Sequence, residues 1–256
     1  MNNLVRLFDF HTIAMKTTRK LNLRRKELIL SKNPVLRYLS FSGLYFAQGI
    51  TDGITFYTIP AWLAMNSKSP MEIAGFVALI GIPWSFKILI APIIDRYTLL
   101  SMGRKRPWII FGQLGLIMSF LSIGLIEDPL NNMKGLMVSG FLISFFGAFQ
   151  DVATDGMVVD VVPEKEKARA NGLMWGSKVI GSSLTLLIGT ALINILDFST
   201  AIASLSIAVA FIILIPILFR EREGEKIMPW TKGKASLESK KIQIRNWKHI
   251  FKSLIK

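Results

Sequence analysis

The chain has 256 residues, 51% of them hydrophobic, with a mean hydropathy of +0.44 and a formal net charge of +14. A composition this apolar, set in long uninterrupted runs, excludes an ordinary soluble domain and leaves a soluble α-solenoid as the bland alternative. Cysteine is absent, which excludes disulfides and thiolate metal sites.

Residues 1–35 read as a basic cytoplasmic leader carrying Arg19, Lys20, Arg24, Arg25 and Lys26. They hold no apolar core beside a small-residue cleavage site, so no signal peptide is read; Leu4, Leu7, Phe8 and Phe10 could lie on anionic lipid. Six apolar stretches of crossing length follow, at 36–59, 73–94, 107–126, 134–160, 169–193 and 200–219. Continuous runs of this kind predict helices rather than the short alternating strands of a membrane barrel, hence an all-α polytopic membrane protein. Residues 220–256 read as a basic cytoplasmic loop, and His11 and His249 as solvated residues of the two tails.

The location of the positive charge decides what it means. Of the 31 Lys and Arg residues, 26 fall before Leu36, between Asp95 and Arg106, between Asp160 and Arg169, or after Phe219. The segments expected on the opposite side hold only Lys68 and Lys134. This asymmetry is the positive-inside pattern, which places both ends of the chain in the cytoplasm and removes the warrant for nucleic-acid binding.

Ionisable residues inside the spans sit on spans one, two, four and five, with none on three and six. Such residues are costly in a bilayer and mark the surface facing a cavity. The order of charged and uncharged helices repeats after three, and an odd repeat must be inverted, so a 3+3 inverted repeat is expected. On span one, Tyr45, Gln48, Asp52 and Thr55 form a polar stripe at helical spacing. Counting from Leu36 puts Asp52 about 24 Å along the axis, in the outer half, where it reads either as a lone proton carrier or as a carboxylate neutralised by hydrogen bonds. Lys87 and Lys178 either snorkel or line the cavity, where they would suit an anionic solute.

Asp151 and Asp155 share a face one turn apart and are plausible partners for Lys87, Lys178 or the basic loop. Their position near the cytoplasmic end makes a gate and a substrate or proton site equally open readings. Asp95 ends span two, where a carboxylate meets the negative pole of the helix and reads as a latch. Arg96, Arg104, Lys105 and Arg106 either complete a charge network with it or only enforce topology. Gly172, Gly176, Ser177, Gly181 and Gly189 on span five are expected at close helix contacts.

The turn after span two reads Ala91-Pro92-Ile93-Ile94-Asp95-Arg96, then Gly103-Arg104-Lys105-Arg106-Pro107-Trp108. It resembles the signature loop of the major facilitator superfamily, with Ala91 in place of glycine and a longer insertion after Arg96. A second stretch, Gln150-Asp151-Val152-Ala153-Thr154-Asp155-Gly156 followed by Val162-Pro163-Glu164-Lys165-Glu166-Lys167-Ala168-Arg169, is similar to the branch of muropeptide permeases and acetyl-CoA transporters. Lys87, eight residues before Asp95, matches a lysine common in that branch; sucrose-type and glycoside–cation symporters share a related turn.

The resemblance implies a secondary active transporter, not an enzyme, moving a small solute by alternating access with proton or other cation coupling and no cofactor. Its substrate or proton pathway would include Tyr45, Gln48, Asp52, Thr55, Lys87 and Lys178; its cytoplasmic gate would include Asp95, Arg96, Arg104, Lys105, Arg106, Gln150, Asp151 and Asp155. It also implies twelve spans, so that residues 36–219 form the first half, 220–256 the central loop, and the partner is a missing C-terminal half or a second copy, embedded in membrane lipid in a bacterial inner membrane. Two alternatives stay open: a membrane enzyme holding Mg²⁺ and a lipid diphosphate on Asp151, Asp155 and Asp160, and a non-transporting receptor on the same fold.

Overall fold

The computed structural model describes residues 28–243. The leader residues Leu4 to Lys26, His11 and His249 therefore lie outside the described residues.

Span one is helical from Pro34 to Met65, as α1 (Pro34–Asp52), a π-helical turn (Gly53–Thr58) and α2 (Ile59–Met65). Asn33 caps it, its side chain accepting the Leu36 N–H at 3.1 Å, and Pro34 occupies the first turn, where no donor is needed. Span two is α3 (Pro70–Ser85) and α4 (Lys87–Arg96), opened by the Ser69–Glu72 capping box. It is interrupted at Phe86, whose φ of −92° and ψ of 11° depart from the helix, between Pro83 and Pro92.

Span three is α5 (Arg106–Ile123), span four α6 (Met133–Val161) and span five α7 (Glu164–Ile195). Span six is α8 (Phe198–Ser204), α9 (Ser206–Ile212) and α10 (Leu214–Leu218), and a short α11 (Leu237–Ile242) follows.

By length and composition, five segments can cross a membrane: Pro70–Arg96, Arg106–Ile123, Met133–Val161, Glu164–Ile195 and Phe198–Leu218. The sixth expected span, the first in the chain, is helical but not among them. Its polar stripe lowers its hydropathy, and the π turn beside Asp52 divides it, a feature often found at functional sites.

Span one packs chiefly on span five and also on span six; span four packs chiefly on span three and also on span two. Exchanging one with four, two with five and three with six maps each of these contacts onto another of them, which is the packing expected of two three-helix units. The close approach of α1 to α7 runs over glycine. A Cβ on Gly49 would overlap the Lys178 carbonyl and lie 2.9 Å from the Ser182 nitrogen, while one on Gly181 would lie 2.6 Å from the Phe46 oxygen. Gly172 and Gly176, expected at such contacts, instead face open space, because a helix of 32 residues buries only one stripe.

Candidate functional site

Two charged constellations occupy different levels of the bundle. The first lies within the helices. Lys178 on α7 bonds Asp52 at the end of α1, 2.9 Å apart, and Lys87 on α4 bonds Asp151 on α6. Asp155, one turn further along α6, accepts the Tyr45 hydroxyl. Trp84 lies beside both ammonium groups, 4.3 Å from Lys87 Nζ and 5.1 Å from Lys178 Nζ, ring centroid to nitrogen. Trp175 is 5.3 Å from Lys178 and meets Tyr45 edge-on, yet its side chain remains largely exposed. Four spans thus contribute to one polar face.

This arrangement alters two expectations. Asp52 is a paired carboxylate, not a lone one. Asp151 and Asp155 belong with Tyr45 and Lys87 and not with the loop after span two. α6 continues to Val161, ten residues or about 15 Å beyond Asp151, so the acids lie deeper than the end of the helix.

Two stripe residues stand apart from the ion pairs. The Thr55 hydroxyl bonds the Thr51 carbonyl of its own helix at 2.9 Å, and the buried Gln48 amide has no hydrogen-bond partner among the described residues. Gln150 is buried and donates to the Leu44 carbonyl, tying α6 to α1 at 3.3 Å.

The sequence carried a signal for this face beyond the order of charges. Trp84-Ser85-Phe86-Lys87 on span two and Trp175-Gly176-Ser177-Lys178 on span five repeat a Trp-x-x-Lys pattern. Thr51-Asp52-Gly53 on span one and Thr154-Asp155-Gly156 on span four repeat a Thr-Asp-Gly pattern. Both follow the same exchange of units as the packing.

The second constellation is a collar at the ends of spans two, four and six. Arg104 holds both oxygens of Asp160 at 2.9 Å and Asp95 at 2.8 Å, and Lys105 also bonds Asp95. Asp95 therefore meets a charge network. Arg96 stacks on Tyr97, 5.6 Å from its ring. Arg106 is fully buried and donates to the carbonyls of Met102, Pro216, Lys226 and Ile227, which pins α5 to the end of span six.

The acceptor at the centre of the collar is Glu221, which sequence reasoning passed over as part of a charged run. Fully buried, it accepts three successive backbone N–H groups, those of Arg104 at 2.9 Å, Lys105 at 2.7 Å and Arg106 at 2.6 Å. Such a nest at a helix start favours an anion. Gly103 permits the approach. Its φ is +109°, and a Cβ there would stand 2.6 Å from Glu221 Oε1.

Arg222 extends the collar to Glu238 on α11 and to the Asp160 carbonyl, at 3.0 and 2.7 Å. Glu225 accepts the Arg222 N–H and the Ser239 hydroxyl, both at 3.0 Å. Burial first, and then the neighbouring Glu221 charge, push the Glu225 carboxyl up from its ordinary 4.5 to about 7. Arg37 closes the ring, donating to the Leu30 and Ser31 carbonyls and to Glu166.

A family model described as Major Facilitator Superfamily matches residues 41–255. The chain belongs to the major facilitator superfamily. It is similar to the anhydromuropeptide permease of Escherichia coli (strain K12), 30% identical over 149 residues that make up 58% of this chain and 29% of that protein. Similarity extends to two Rickettsia prowazekii (strain Madrid E) proteins. AmpG 3 is 27% identical over 56% of this chain and 34% of its own length; AmpG 1 is 26% identical over 69% and 40%. The chain thus spans well under half the length of these curated relatives.

Membership makes this an integral, multi-pass membrane protein of a transporter family, not an enzyme. Of the three acids on α6, Asp151 takes Lys87, Asp155 takes the Tyr45 hydroxyl and Asp160 takes Arg104.

Proposed function

We propose that the protein moves a small solute across the membrane by alternating access, driven by a proton or another cation, with a second six-helix unit completing the pathway. The observation that carries this reading is the face on which two Asp–Lys pairs, Tyr45, Trp84 and Trp175 meet. Buried ion pairs suit a protein with two conformations, because each carboxylate and each ammonium is paired in one state and released in the other. Exposed Trp175 and the adjacent ammonium groups offer an apolar plate beside a cationic one, which fits an amphiphilic anion such as a muropeptide. The collar around Asp95, Arg104 and Asp160 acts as the cytoplasmic gate.

Support for a second unit comes from the greater length of the relatives, and it would be either a C-terminal half or another copy of this chain. In this reading the protein sits in a bacterial inner membrane with the loops after spans two and four on the cytoplasmic side.

Uptake by proteoliposomes containing the complete transporter tests the activity. An anhydromuropeptide should accumulate under an imposed proton gradient, and dissipating the gradient should abolish the accumulation. Absence of uptake of muropeptides, sugars and nucleotide-like anions alike would remove the reading. Orientation is tested with single cysteines at Gly103, Lys165 and Asn131. An impermeant thiol reagent should reach only position 131 in intact cells.

A further inference from the structure

The polar face holds three carboxylates, Asp52, Asp151 and Asp155, against two ammonium groups, Lys87 and Lys178. Each ammonium takes one acid, Lys178 with Asp52 and Lys87 with Asp151. Asp155 is left with a neutral partner, the Tyr45 phenol. Among the described residues the remaining neighbours supply no further cation: Lys105, whose ammonium lies beside Gly156, is held by Asp95, and Arg106 is engaged by four carbonyls. Spans three and six bring no ionisable side chain to this level.

The internal repeat adds an independent argument. The Thr-Asp-Gly and Trp-x-x-Lys patterns make Asp155 the counterpart of Asp52, and Lys87 the counterpart of Lys178. The pair equivalent to Asp52–Lys178 is therefore Asp155–Lys87. In the structure Lys87 is on Asp151 instead, the residue that aligns with neutral Gln48 when the two Thr-Asp-Gly patterns are superposed. Span four thus offers Lys87 two acceptors one turn apart, about 6 Å along the axis. Span one offers Lys178 only one.

We propose that Asp155 carries the exchangeable proton of this face, and that Lys87 passes from Asp151 to Asp155 when the proton leaves. Protonated, Asp155 balances the face at two acids and two ammonium groups, so no carboxylate stands without a cation within the membrane. On deprotonation the proton goes to water at the exposed side of α6, and the new carboxylate competes with Asp151 for Lys87. No other bond forms or breaks. Lys87 therefore reports the proton's presence to span two, whose helix is already interrupted at Phe86 beside it. Asp52, held by Lys178, stays ionised throughout.

This inference rests on the transport reading only for its consequence; proton occupancy is measurable on the chain itself. The test is infrared spectroscopy in lipid vesicles at neutral pH, read in the C=O stretch of protonated carboxyl groups, with Glu225→Gln as the parent for every variant so that the raised Glu225 carboxyl contributes no band. The parent should show such a band and Asp155→Asn should lose it. Asp151→Asn should lose it too, because Lys87 then falls to Asp155 and ionises it, whereas Asp52→Asn should keep it. Tyr45→Phe should keep the band at a shifted frequency, which preserves the test if Asp155→Asn does not fold. A parent without the band, or a band that survives Asp155→Asn, overturns the proposal. Correct spectra alongside a complete transporter that takes up no solute would instead sink the transport reading and leave the proton assignment standing.

Discussion

Glu221→Gln probes the collar with the least change of shape. Glu221 Oε1 accepts from Lys105 and Arg106, and Oε2 accepts from Arg104. Glutamine keeps one acceptor and turns an NH₂ toward a backbone donor, so one bond is lost and two become neutral. Hydrogen bonds to an ionised group contribute about 1.5–3 kcal/mol each and neutral ones about 1, which sets the gross loss near 4 kcal/mol. Relief of the carboxylate's burial cost and of its repulsion on Glu225 opposes this, leaving a net loss of roughly 2–3 kcal/mol. For a protein of this size that lowers the melting temperature by about 4–12 °C.

Thermal unfolding in detergent, followed by tryptophan fluorescence, measures the shift. Glu223→Gln is the control, since its pair with Lys32 is half exposed and is worth about 1 kcal/mol or less. Equal shifts in the two variants, or none in Glu221→Gln, would refute the claim that the backbone nest holds the collar together.

Three further outcomes are expected. Glu225 has a raised carboxyl, so its contribution to stability is complete below pH 4.5 and lost as pH rises through about 7; melting temperature should fall across that window and Glu225→Gln should flatten the fall. Gly49→Ala should destabilise strongly, since its methyl would overlap the Lys178 carbonyl, whereas Gly176→Ala should be neutral or raise the melting temperature slightly, as its methyl meets only open space. Asp95→Asn leaves Arg104 on Asp160 but frees Lys105, so turnover should slow more than equilibrium solute binding weakens, and a cysteine at Gly176 should label faster; unchanged labelling with normal turnover would reduce Asp95 to a topological role.

Much of the site was legible, but not its wiring. That Asp52, Lys87, Asp151, Asp155 and Lys178 share one face was legible in their confinement to four of six spans, because a bilayer penalises each charge wherever it falls. Tyr45 was legible through its place on the polar stripe. Trp84 and Trp175 were not, since a tryptophan in a span reads equally as lipid-facing, and only the repeated Trp-x-x-Lys distinguishes them. Glu221 was hidden among alternating charges after span six, with its partners some 115 residues upstream.

The chain by itself determined the class of fold, the approximate limits of the spans and the family, because hydropathy and local motifs act over a single helix or turn. Tertiary structure alone decided which acid takes which lysine, that Asp151 and Asp155 lie with the inner face and not with the collar, and that Gly181 packs against span one while Gly176 stands clear. Those choices depend on helix rotation and on how far each helix extends. Both are set by packing between segments a hundred residues apart, which no local period encodes.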